Sequence, residues 1–163
     1  MTTSSALIME HKRKKGAIRE QALRVRRYFE GPWPGSHLPL LKRFPNGCCK
    51  VASVLLMKYL VEEHGFNEVE GIANGMRIDP RDADKGWGSH FWLEHGTTII
   101  DITADQFDDI TSPVIVTTNR DWHDQFIGQK RFPYAEFRDL AEPHHMEYEL
   151  LLKILRRSQG SPS

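Results

Sequence analysis

Hydrophobic and polar positions alternate with two different periods along the chain, and the changes of period mark the elements. Between Ala17 and Phe29, the residues Ile18, Ala22, Val25 and Phe29 recur at helical spacing, with Arg19, Arg24 and Arg27 on the opposite face. That spacing predicts an amphipathic helix. KVASVLLMKYLVEEHG is apolar enough for a core helix, and its Gly65 is a C-terminal signal. Asn46 and Gly47 stand where this helix would begin. The period then shortens to two. VEGIANGMRI reads as a strand, SHFWLEHGTTIIDITADQF as two strands about a tight turn, and PVIVTT as a short β-rich run. Helical spacing returns from Met146 to Arg157, where Tyr148, Leu151, Leu152 and Leu155 form a stripe. Glu147 and Glu149 in its first turn and Arg156 and Arg157 in its last suit the helix dipole. Helix, helix, mainly antiparallel strands, then helix is an α+β layout.

Turn-forming residues fill the rest. GPWPGSHLPLLKRFPNG and DPRDADKGWGS read as irregular loops. Residues 1–16 are polar and then basic and are expected to be a disordered tail, 17–157 a single domain, and 158–163 a flexible C-terminal tail. A chain of 163 residues can bury a core of its own without staples.

Lys and Arg number 22, balanced by 22 Asp and Glu, so the chain as a whole is not built to hold nucleic acid by charge. The basic run Lys12–Lys15 with Arg19, Arg24, Arg26 and Arg27 reads as a solvated face. No apolar stretch approaches the roughly 20 residues that span a membrane. In MTTSSALIMEHKRKK the basic run follows the apolar one, the reverse of a secretory signal, so a cytoplasmic location is expected.

The two cysteines, Cys48 and Cys49, are adjacent. Such a pair closes only a strained ring, and two ligands do not make a zinc site. His64 and the pair His144-His145 have no neighbours at metal spacing, so neither metal nor cofactor is expected. A cysteine opening a helix is different, because the unpaired N–H groups there favour thiolate over thiol and can hold an oxyanion. Taken alone, it is as readily a small apolar plug.

The hairpin tips the balance. With His95-Gly96 as a two-residue turn, Glu94 pairs with Thr97, Leu93 with Thr98, Trp92 with Ile99, Phe91 with Ile100, and His90 with Asp101. Opposed residues share a face with Cβ atoms about 4.5–5.5 Å apart, close enough for an aspartate to hold an imidazole. Phe91, Leu93, Ile100 and Ile102 then form a core face, while His90 and Asp101 share the other with Trp92 and Ile99.

The order GCC…SHFWLE…IIDIT resembles the transglutaminase-like branch of the papain-like cysteine enzymes, whose small bacterial-type members stand alone as one domain. The family's G-x-C, H-x-W-x-E and D-x-T match Gly47-Cys48-Cys49, His90 to Glu94, and Asp101-Ile102-Thr103. The resemblance spans about Phe44 to Phe107. It implies a nucleophile helix packed on an antiparallel sheet, a cysteine nucleophile, a histidine base and an orienting aspartate. The G-x-C spacing favours Cys49, which shares a helix face with Ala52, Ser53, Leu56 and Leu60, with Cys48 as the alternative. Nothing matches the calcium site or extra domains of large transglutaminases.

The expected function is thus attack on an amide by Cys49, with His90 and Asp101, in a peptide, protein or small molecule, completed by water or an amine. Asn46, Trp87 and Trp92 are candidates for the oxyanion site or pocket walls. Trp122-His123-Asp124 reads first as a surface or core-edge cluster and second as pocket lining. The rival reading is a catalytically inactive module of the same fold that binds through its basic N-terminal helix.

Overall fold

The computed structural model describes residues 2–31, 41–77 and 87–159. Helix α1 runs over Thr2–Glu30, and its buried stripe begins at Ile18 and continues through Ala22, Val25 and Phe29, as the apolar spacing requires. The segment expected to be an unstructured tail is helical from Thr2 onward. Ala6, Leu7, Met9, Glu10 and Lys12–Lys15 are strong helix formers, and Glu10 pairs along the helix with Arg13 at 2.9 Å and Lys14 at 3.8 Å. The basic face is not uniformly solvated either. Arg26 is buried and Arg24 half-buried, both engaged by other segments, while Arg19 and Arg27 are exposed.

Helix α2, Cys49–His64, is buried along most of its length. It ends at Gly65, whose φ of +70° lets the N–H groups of Gly65 and Phe66 close onto Val61 and Leu60 carbonyls. The sheet comprises β1 (Val69–Ala73), β4 (Trp92–His95), β5 (Thr98–Asp101), β6 (Ile115–Thr117) and β7 (Lys130–Pro133), all antiparallel in the order β6-β5-β4-β1-β7. VEGIANGMRI is not one strand. It breaks at Asn74-Gly75, and β2 (Met76–Arg77) leaves the sheet to pair with β3 (Trp87–Ser89). Helices α3 (Tyr134–Ala141) and α4 (His145–Gln159) follow β7. Neither β7 nor α3 was expected, because Lys130–Ala141 carries no clear apolar period.

The β4–β5 register differs from the expected one by two positions. Leu93 lies opposite Ile100, Glu94 opposite Ile99 and His95 opposite Thr98, so the turn is Gly96-Thr97. Gly96 takes its first position with φ +58°, the left-handed region that a glycine occupies without steric penalty. A slide of two preserves parity, so the faces stand as expected. Phe91, Leu93, Ile100 and Ile102 join the main core with α1, α2 and α4, and Trp92 and Ile99 pack on the other face with Ile72, Phe107 and Phe126. The protein is therefore α+β, with helices against one face of a five-stranded antiparallel sheet and an aromatic layer, carried by loops, against the other. Among the described residues no helix is long and apolar enough to cross a membrane.

Candidate functional site

A tight turn delivers Cys49. The Asn46 N–H donates to the Arg43 carbonyl at 2.7 Å, the Cys48 N–H to Pro45 at 3.2 Å, and Gly47 adopts φ +67° between them. The two cysteines part here. Cys48 is buried and its S–H donates to the Asn46 carbonyl at 3.3 Å, while Cys49, the first residue of α2, is half-buried and lines the same cleft as His90. The N–H groups of the first turn of α2, beginning with Cys49, have no acceptor within the helix.

His90 and Phe91 interrupt the run from β3 to β4, so their backbone groups lack a ladder partner and side chains supply one. The His90 N–H donates to Asn74 Oδ1 at 3.0 Å, and Asn74 Nδ2 donates to the His90 carbonyl. The Phe91 carbonyl accepts from Ser53 Oγ at 3.3 Å. One turn of α2 thereby grips the segment that carries the imidazole.

Asp101 sits on β5, completely buried. Its Oδ2 accepts from His90 Nε2 at 2.7 Å and from His123 Nε2 at 2.9 Å, and its Oδ1 accepts from the Thr103 N–H at 3.0 Å. The β4–β5 register sets Trp92 level with Asp101, so His90 reaches the carboxylate diagonally across the shared face. With Nε2 committed to Asp101, Nδ1 is the nitrogen left for the Cys49 thiol. Gln106 also reaches it. The Gly47 N–H donates to Gln106 Oε1 at 3.3 Å, which leaves the amide nitrogen of Gln106 to donate to His90 Nδ1 at 3.1 Å. Rings wall the imidazole, with Phe107 and Phe126 at 5.2 and 5.5 Å between centroids.

Burial works against charge on Cys49, yet the hydrogen bond and positive charge of His90 and the Phe91 N–H outweigh it and hold the thiol below its ordinary range; Asp101 opposes them. Burial, aided by the neighbouring Cys49, pushes the Cys48 thiol up. His90 is likewise opposed by burial, but the Asp101 charge and hydrogen bond and the Cys49 partner raise it to about 9. Asp101 is held well below the carboxylate range: burial resists ionisation, and the His90 charge and the hydrogen bonds of both histidines overcome it.

The structure thus brings Cys49, His90 and Asp101 together and leaves Cys48 facing away. Asn46 is exposed, with its backbone shaping the turn. Trp92 is fully buried behind the pair, its indole N–H donating to Glu94 Oε1 at 3.1 Å, and it walls no open pocket. The Trp87 side chain lies outside the described residues. His123, expected first as a surface or core-edge residue, is buried on Asp101, and no sequence spacing marks Gln106 or Asn74 as neighbours of His90. The apolar company of His123, between Trp122 and Phe126, was the one signal in its favour. Comparison with protein-family models, curated proteins and solved structures finds no match to this chain.

Proposed function

We propose that this protein is a cysteine-dependent acyl-transfer enzyme acting on an amide, of the transglutaminase-like, papain-like type, with Cys49 as nucleophile, His90 as base and acid, and Asp101 orienting the ring. The observation that carries the reading is the 2.7 Å hydrogen bond from His90 to a fully buried Asp101, set in the same cleft wall as a half-buried Cys49 at the start of α2, where His90 holds the thiol low. The helix-on-sheet layout and the chain order Cys, His, Asp agree with that family.

His90 takes the thiol proton on Nδ1, giving up the hydrogen bond that Gln106 donates there, and is left as an imidazolium stabilised by Asp101. The thiolate attacks the amide carbonyl, and the oxyanion of the tetrahedral adduct faces N–H groups of the first turn of α2. Collapse breaks the C–N bond, and His90 returns the proton to the departing amine. Water or a second amine, deprotonated in turn by His90, then releases the acyl group from Cys49.

The test is mass-mapped alkylation by iodoacetamide as a function of pH. A thiol held below its ordinary range stays ionised, and so reactive, at pH values where an unassisted thiol loses about tenfold per unit. Cys49 is therefore expected to react first near neutral pH and Cys48, pushed up, only under more alkaline conditions. His90→Gln and Asp101→Asn are each expected to slow Cys49 at least tenfold near neutrality. Preferential labelling of Cys48, or a Cys49 rate indifferent to both substitutions, would overturn the proposal.

A further inference from the structure

Beside Cys49 opens a cleft of about 450 Å³, within the range of small-ligand sites, and its lining is mostly apolar. Phe91, Phe132, Phe137 and Ala73 supply its apolar walls, and Cys49 and His90 belong to the same lining. Gly71 makes the arrangement possible, since a Cβ there would stand 2.8 Å from Phe91 Cζ and 3.2 Å from Phe137 Cε2. Any side chain at Gly71 would displace the rings that form the wall.

The polar groups in the cleft do not alter its character. Asn74 has both ends of its amide engaged by the His90 backbone. Lys50 and Glu136 are exposed, one of each sign, so they impose no net charge on what enters. Lys50, Glu136 and Ser89 are exposed and so keep their own water, whereas a charged or strongly polar group pushed between the phenylalanines would lose its water against rings that cannot replace it. An aromatic or branched aliphatic group would lose nothing and bury its surface. Cys49 itself lines the cleft, so a group seated there lies beside the nucleophile, as an acyl group's own side chain must when its carbonyl is under attack.

We infer that the Phe91–Phe132–Phe137 cleft is the acyl-side specificity pocket, and that it takes amides whose acyl portion carries a bulky apolar side chain next to the scissile carbonyl, such as a peptide with phenylalanine or leucine there. This rests on Cys49 being the nucleophile. It points away from acyl groups that reach the sulfur on a polar or charged chain.

Three chloromethyl ketones with the same warhead test it: N-acetyl-Phe-Phe, N-acetyl-Gly-Gly and N-acetyl-Asp-Asp. Their rates at Cys49 are each divided by the iodoacetamide rate of the same protein, which separates the cleft from the thiol. The Phe-Phe probe is expected to react at least tenfold faster than either other probe, the scale of discrimination an apolar pocket supplies. Phe132→Asp, which charges the wall, should bring the ratio close to one. Because Phe132 also packs on Phe137 at 5.1 Å, Ala73→Leu serves as a second variant that narrows the cleft and should lower the ratio too. Equal rates for the three probes in the native protein, or a ratio untouched by both variants, would overturn the pocket while leaving a reactive Cys49 intact. Labelling by iodoacetamide but by none of the ketones would do the same. Silence toward all four reagents would overturn the nucleophile and the pocket together.

Discussion

Asp101 Oδ2 receives two imidazole donors, His90 at 2.7 Å and His123 at 2.9 Å, so a single carboxylate oxygen is shared between two rings. A carboxylate that gives charge to a second donor holds its first imidazolium less tightly, and His123 thereby limits how far Asp101 raises His90. His123→Phe keeps a ring against Trp92 and removes the donor. The sign follows directly: a stronger hold on the His90 imidazolium favours the Cys49 thiolate, so the acid limb of Cys49 alkylation moves to lower pH. A displacement of roughly half a unit is the expected scale. A limb that stays in place would reduce His123 to packing alone, and one that moves to higher pH would mean that His123 supports the Asp101 charge instead of competing for it. His123 was hard to read because sequence gives spacing within a segment and no distance between segments. His90 and Asp101 lie within one hairpin and could be paired by counting, whereas His123 reaches Asp101 from a loop 22 residues on.

At the scale of elements, the pairing of His90 with Asp101 was legible even though its register was not. The parity of the strands put the two on one face, and parity survives the two-residue slide that Gly96 imposes. The gap between β3 and β4 left no comparable mark, because it is defined by Asn74, which lies 16 residues from His90 and belongs to the break after β1. Asn74 is the sole described side chain that meets both the N–H and the carbonyl of His90. Asn74→Ala strips both partners from a half-buried backbone unit and is expected to cost about 2 kcal/mol. At this chain length that corresponds to a fall in Tm of roughly 4–8 °C. Asn74→Asp keeps the acceptor for the His90 N–H and loses the donor to its carbonyl, so its fall should be smaller in thermal unfolding. If both variants melted with the native protein, side-chain satisfaction of this break would not be what holds His90.

The site draws on residues 49, 90, 101, 106 and 123, so its geometry depends on how distant segments are tied together. One tie is Arg26. From α1 it donates to both carboxylate oxygens of Asp105 at 2.7 Å, to the Ile102 carbonyl at 2.7 Å and to the Pro113 carbonyl at 3.1 Å. It thus pins the short stretch that runs from the end of β5 to Gln106. The buried half of α1 begins at Ile18, and residues 3–9 and 11–14 of the same helix are exposed. The apolar periodicity had located the packed part of α1 correctly; what it did not register was that helix propensity carries the helix on past the packing. Deleting residues 2–13 removes helix that rests on no core, and should lower stability by less than about 1 kcal/mol, in line with the small effects of changes on exposed surface. Arg26→Met removes one member of a buried ion pair and leaves Asp105 and two carbonyls without their donor, for which about 3 kcal/mol is the expected loss. Calorimetry should then show a Tm within a few degrees of native for the deletion and a fall of roughly 6–12 °C for Arg26→Met. A deletion that melts as early as Arg26→Met would mean that the exposed turns of α1 belong to the cooperative unit, and that the domain begins near Thr2 rather than near Ala17.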